Sequence, residues 1–122
     1  MAVDYGEKRV GIASTDETGH FALPRAVWPN DETLVGKVLK FKDEAGIGQI
    51  IIGESRNLNG QPNPIQEKIE KFKSELEARG AKVILHPEVF TTLEAQRLQG
   101  ETKMTDASAA ALILKSFLDN LV

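Results

Sequence analysis

The chain has no cysteine, which excludes disulfides, thiolate metal sites and cysteine nucleophiles. It has no stretch approaching the ~18 consecutive apolar residues that a membrane-spanning helix needs. Its first residues lack the basic-then-apolar pattern of a secretory signal. Positive charge is not in excess: 15 Lys and Arg stand against 18 Asp and Glu, for a net charge of −3. Proteins that hold nucleic acid by bulk electrostatics are usually basic, so a polyanion bound here needs a local basic patch or a bound cation. There is no internal repeat and no low-complexity tract. What is present is an ordinary globular composition, 41% hydrophobic and 27% charged, outside the disordered class. At 122 residues the expectation is a single domain over 1–122, cytoplasmic and without a membrane partner, burying roughly two-thirds of its unfolded surface.

The hydrophobic pattern starts with period two and changes to 3.6. Met1 to Asp4 and Arg9 to Ser14 read as strands joined at Gly6, with Val10 and Ile12 on one face and Gly11 and Ala13 on the other. Phe21 to Trp28 is strand-like but contains Pro24, which predicts an edge position. Asp16 to His20 has the composition of the turn before it. Asp31 is the expected cap of a helix running to Ala45, striped by Leu34, Val35, Val38, Leu39 and Phe41 and stopped by Gly46. Gln49 to Gly53 and Lys82 to His86 are apolar runs rich in branched residues, the mark of buried strands. Between them, Ile65 to Arg79 is helical, with Ile65, Ile69, Phe72 and Leu76 on one stripe and Gly80 as its stop. Its Lys68, Lys71, Lys73 and Arg79 alternate with Glu67, Glu70, Glu75 and Glu77 as a solvated face. Thr91 and Glu94 form a capping box. Thr105 caps a last helix whose Ala107, Ala110, Ala111, Leu114, Phe117, Leu118 and Leu121 follow helical spacing. The order β-β-β-α-β-α-β-α-α predicts an α/β fold. It has one five-stranded mixed sheet, a three-stranded antiparallel meander plus two parallel strands, with helices on its faces.

Ligands of open α/β sheets gather at the carboxyl ends of the parallel strands. Asp4, Glu54 and Glu88 lie at or just beyond such ends. Asp106 lies in the first turn of the last helix, on the stripe of Ala110, Ile113 and Phe117, so it is expected to point at the sheet. Each acid alone has a plainer reading: a turn aspartate at position 4, helix-dipole complementation at 106, loop acids at 54 and 88. Carboxylates grouped together repel unless a cation neutralises them. An oxygen-rich set without cysteine suits Mg²⁺ or Mn²⁺. Two such ions about 4 Å apart activate water and stabilise the leaving oxygen in phosphodiester cleavage. Lys8, Arg9, Arg25, Arg56 and Lys103 fall in loops or strand ends around this region and are candidate phosphate contacts. His20 and His86 lack metal-ligand spacing and read as structural.

Four collinear stretches, DYGEKRVGIA at 4–13, IIIGESRNLNGQ at 50–61, HPEVFTTLEAQRL at 86–98 and TDASAAALIL at 105–114, resemble the YqgF (RuvX-like) family. These are small ribonuclease H-like proteins associated with Holliday junction resolution and with pre-16S ribosomal RNA processing. The resemblance implies a ribonuclease H-like fold and a metal-dependent nuclease with Asp4, Glu88 and Asp106 as catalytic and metal-binding residues and Mg²⁺ or Mn²⁺ as cofactor. It implies a substrate groove lined at Asn57 and Asn59, within the family's Asn-x-x-Gly turn; Lys8, Arg9, Arg56 and Lys103, by their place in loops and strand ends, are the candidate substrate contacts beside it. Nucleic acid is then the expected partner, RNA first and branched DNA second.

The sequence departs from the family at Pro87-Glu88-Val89, where Asp-Glu-Arg is usual, at Gly53 to Arg56, where Gly-Leu-Pro-Leu is more common, and in a shorter connection from Gln99 to Thr105. The first strand also starts later than is usual in the family. A catalytically weakened nucleic-acid-binding module is therefore one alternative to a nuclease. A second is an actin-like ATPase loop at Asp4-x-Gly6, which ranks low because such enzymes need two domains. Junction cleavage calls for a dimer. No exposed apolar stripe marks one in the sequence, so the expected state is a monomer or weak dimer and pre-16S processing is preferred.

Overall fold

The computed structural model describes residues 1–54, 64–87 and 106–119. Strands β1 (Ala2–Tyr5), β2 (Arg9–Thr15) and β3 (Ala22–Pro29) are followed by α1 (Leu34–Glu44), β4 (Ile50–Glu54), α2 (Pro64–Ala78), β5 (Val83–Pro87) and α3 (Asp106–Asp119). The strands form one sheet in the order β3-β2-β1-β4-β5. β1 pairs antiparallel with β2, and β2 with β3; β1 pairs parallel with β4, and β4 with β5. This is the expected mixed sheet. The helix expected after Thr91 and the cap expected at Thr105 lie outside the described residues.

Alternation along the strands builds two cores, one on each side of the sheet. Val3, Val10, Ile12, Ile50, Ile52 and Val83 pack under Leu34 and Val38 of α1 and Ile69, Phe72 and Leu76 of α2. Ala2, Ala13 and Ile51 pack under Ala110, Ile113 and Leu114 of α3. The three successive isoleucines of β4 thus face both ways, which is why that run carries no polar position. The alanines on the α3 side let that helix approach the sheet closely.

Four local features differ from expectation or refine it. Helix α1 starts at Leu34 rather than beside Asp31. Asp31 instead accepts hydrogen bonds from the Thr33 backbone N–H and hydroxyl, capping a lead-in turn that the Leu34 N–H closes on the Asp31 carbonyl. β5 is an edge strand. Val83 is buried, while Ile84, Leu85 and His86 are half-buried, and among the described residues no strand pairs with the outer side of β5. β3 is the other edge, as Pro24 required. Its pairing with β2 steps from Ile12↔Ala26 to Ala13↔Pro24, leaving Arg25 as the extra residue of a bulge. Helices α1 and α2 end at Gly46 (φ 66) and Gly80 (φ 91), where the Ile47 and Ala81 N–H groups donate back to Lys42 and Leu76.

Candidate active site

Asp4 is the third residue of β1. Ala2 belongs to the core under α3, whereas Tyr5 stacks on Phe72 of α2 with ring centroids 5.1 Å apart. Strand alternation therefore places Asp4 on the α3 side of the sheet, half-buried. Its neighbours across both strands are glycines. Gly11 is its partner on β2, and on β4 the next residue after Ile52, the partner of Val3, is Gly53. The positions beside Asp4 on both adjacent strands therefore carry no side chain, at the carboxyl end of the parallel strands.

α3 runs over this face. Its first residue is Asp106, one turn before Ala110, which is fully buried in the core that contains Ala2. The sequence-predicted acids at 4 and 106 thus belong to two elements that share one core. Glu88 lies outside the described residues, one position past the end of β5. Arg56, Asn57, Asn59 and Lys103 also lie outside them. Among the described residues no group of three or more His, Asp or Glu could hold a metal ion. The donor chemistry of Asp4, Glu88 and Asp106 is all carboxylate oxygen, which fits a hard divalent cation and no soft one.

Lys8 and Arg9 are brought to this end of the sheet by the turn between β1 and β2. Gly6 is required there: a Cβ would lie 2.5 Å from the Arg9 carbonyl oxygen. The turn is held from outside by Asn30, which the sequence did not single out. Its side-chain amide donates to the Gly6 carbonyl at 2.7 Å, and its backbone N–H donates to the Lys8 carbonyl at 2.9 Å. An Asn directly after Pro29 is turn chemistry and was the available signal. Glu7 reaches Lys68 of α2 at 3.9 Å, a second tie on the same turn. Arg25 does not join the site. Its Nε donates to the buried Ser14 hydroxyl at 2.8 Å, near the carboxyl end of β2, the sheet end opposite Asp4. The bulge at Arg25 turns its side chain to the α1 side, a change of register no local pattern announces.

His86 packs as a structural residue, as expected. The His20 backbone N–H donates to the Asp16 carboxylate in the β2–β3 loop. That carboxylate is held below its usual range by the Thr18 hydroxyl and by backbone N–H groups of Phe21, His20 and Gly19. His86 packs edge-on against Phe117 and pairs its Nε2 with the Ser116 hydroxyl at 2.9 Å, and burial lowers its pKa. It lies on the α3 side of β5, opposite Gly53.

The family model described as "RuvX: Holliday junction resolvase" matches residues 1–120. The chain belongs to the RuvX family. A relative from Pelotomaculum thermopropionicum named "Putative pre-16S rRNA nuclease" is 35% identical over 132 residues, covering 98% of this chain and 86% of the relative. One of the same name from Desulforudis audaxviator is 31% identical, covering 98% and 93%. Among solved structures, Thermus thermophilus RuvC superposes with a TM-score of 0.59 at 13% identity, over 98% of this chain and 93% of that one. Fowlpox virus resolvase, solved with Holliday junction DNA, superposes with a TM-score of 0.54 at 18% identity, over 98% and 96%. At these identities the superpositions show the fold alone. RuvX membership covers all four stretches on which the resemblance rested.

Proposed function

We propose that this chain is a divalent-metal-dependent nuclease that processes the 5′ end of pre-16S ribosomal RNA in the cytoplasm, acting as one domain over 1–122. The observation that carries the reading is Asp4: a half-buried aspartate flanked by glycines on both neighbouring strands, at the carboxyl end of the parallel strands and on the face crossed by the helix that begins with Asp106. Three carboxylates gathered at one sheet end repel one another, and a Mg²⁺ or Mn²⁺ ion held by Asp4, Glu88 and Asp106 would offset that repulsion. When bound, such an ion activates water and stabilises the charge that develops on the leaving oxygen. The chain's own residues do the rest. Lys8 and Arg9, on a turn clamped by Asn30, hold the phosphate backbone in register, with Arg56, Asn57, Asn59 and Lys103 completing the groove. Because the protein is acidic overall, this local cluster and the ion offset the repulsion a polyanion would otherwise meet.

The test pairs cleavage with metal binding. Purified protein is expected to cut a pre-16S 5′-leader RNA in Mg²⁺ or Mn²⁺ and to bind Mn²⁺ in calorimetry. Asp4→Asn is expected to lose more than about a hundredfold in rate, since groups one shell further from a metal are already worth about 10–100-fold, and to weaken Mn²⁺ binding. Cleavage unchanged in Asp4→Asn sinks the assignment. Metal binding without any cleavage leaves the weakened nucleic-acid-binding reading, which the departures at Pro87 and Val89 favour. Holliday junction cleavage is the second nuclease reading, supported by the description of the matching family; preferential cutting of four-way junctions over leader RNA would put it first.

A further inference from the structure

The face of the sheet that carries Asp4 is covered unevenly. Ala2, Ala13 and Ile51 lie under α3, but Val27 of β3 is left 41% exposed. Its orientation follows from its neighbours. Ala26 and Trp28 pack against the core on the α1 side, so Val27 between them stands on the α3 side. Register sets it level with the acid: Val27 pairs with Gly11, and Gly11 with Asp4. Val27 and Asp4 are two strand spacings apart, roughly 10 Å, and the position between them carries no side chain. Arg9, two residues before Gly11, is exposed on the same face. It pairs with Pro29, which makes it the diagonal neighbour of Val27, about 7–8 Å away. On the opposite flank of Asp4, Gly53 is buried and His86 is half-buried against Ser116 and Phe117. A lone exposed valine is ordinary. One that stands level with a candidate catalytic acid and beside an arginine is not.

We propose that Val27 is a substrate contact that selects single-stranded RNA. The strand passes from Asp4 over β2 to β3, with Arg9 on a backbone phosphate and Val27 against the base face of a neighbouring nucleotide. A single strand alternates charged phosphates with apolar base faces, and its binding sites pair a cation with an apolar or aromatic side chain. Arg9 and Val27 are such a pair, held at fixed separation by the β2–β3 register. β3 is an edge strand, so the RNA leaves the sheet there without crossing a further strand. Valine has no hydrogen-bonding group, so the contact reads shape and not base identity. It also requires an unstacked base, which a single strand offers and a duplex does not. The sequence did not single out Val27, because its level with Asp4 is set through Gly11, on a strand between them.

The proposal rests on the nuclease reading for its substrate, and the test separates the two. Binding of a fluorescent pre-16S leader RNA is measured by anisotropy in Ca²⁺, and cleavage separately in Mg²⁺. Leu23 is the control: it is also exposed on β3, 37%, but it pairs with Ser14, four residues along the strand and on the opposite face. Val27→Trp is expected to tighten RNA binding about tenfold, the scale of one base stacked on an aromatic ring. Val27→Asp weakens it by about tenfold, since a carboxylate then meets the phosphates. Leu23→Trp and Leu23→Asp leave it within about twofold, because position 23 lies beyond the ~8 Å screening length. Both positions are exposed, so thermal melts of all four variants are expected to match the unaltered protein. The gain in Val27→Trp disappears when the leader is annealed to its complement. Equal effects at 27 and 23, no effect at 27, an equal gain with the duplex, or an unaltered protein that binds no RNA each overturn the proposal. RNA that is bound with the expected dependence on position 27 but never cut keeps this contact and removes the nuclease reading. RNA that is cut with no dependence on position 27 removes the contact and keeps the nuclease.

Discussion

At the scale of single residues, two side chains outside the acid set make separable predictions. Asn30 spans from the end of β3 to the turn that carries Lys8. Asn30→Ala removes the bond to the Gly6 carbonyl at 2.7 Å and is expected to cost about 1 kcal/mol of stability in denaturant unfolding. If the turn positions phosphate contacts, KM for RNA rises while kcat holds. A structural role alone would leave both unchanged below the melting temperature. His86 is buried enough that its charged form is disfavoured, so its pKa is lowered from 6.5. Between that value and its lowered folded value, the folded protein binds fewer protons than the unfolded chain. Stability is therefore level above about pH 6.5, declines as pH falls from there toward the lowered folded value, and is level again below it. His86→Gln is expected to flatten that decline in thermal melts taken from pH 7.5 to 5. An unchanged slope would assign the acid sensitivity elsewhere.

At the scale of elements, the apolar periods predicted each of the described helices and strands to within a few residues at either end. The misses have local causes. Asp31 has the chemistry of a cap but serves a turn that precedes α1, and capping chemistry alone does not count the residues between cap and helix. β5 reads like β4 in the sequence, yet Ile84, Leu85 and His86 are only half-buried, because apolar composition does not reveal which strand, among the described ones, pairs on one side only. Two substitutions probe the elements. Gly80→Ala places a side chain at φ 91 and is expected to cost about 1–2 kcal/mol, seen as a lower denaturation midpoint with unchanged m. Ile51→Ala empties the position where β4 meets α3 and is expected to cost about 2–5 kcal/mol. The same change at exposed Val27 should cost far less.

At the scale of the whole molecule, a net charge of −3 limits how nucleic acid can be held. Four candidate contacts, Lys8, Arg9, Arg56 and Lys103, imply a plot of log K against log salt with a slope of about −3 for single-stranded RNA, at about 0.7 per phosphate. Lys8→Ala is expected to reduce that slope by about 0.7, and a slope near zero would remove these residues from the interface. The sequence by itself determined the elements, the mixed sheet, the Pro24 edge and the identity of the candidate acids. These follow from periodicity, turn chemistry and motif, all carried by neighbours in the chain. Only the tertiary structure decided that Asp4 stands between Gly11 and Gly53 on the α3 face, that Asn30 clamps the turn beside it, that Arg25 leaves for the other end of the sheet, and that Val27 stands level with Asp4 across Gly11. Each of these depends on strand register or on which face a helix covers. Register and facing are set by the packing of residues far apart in sequence.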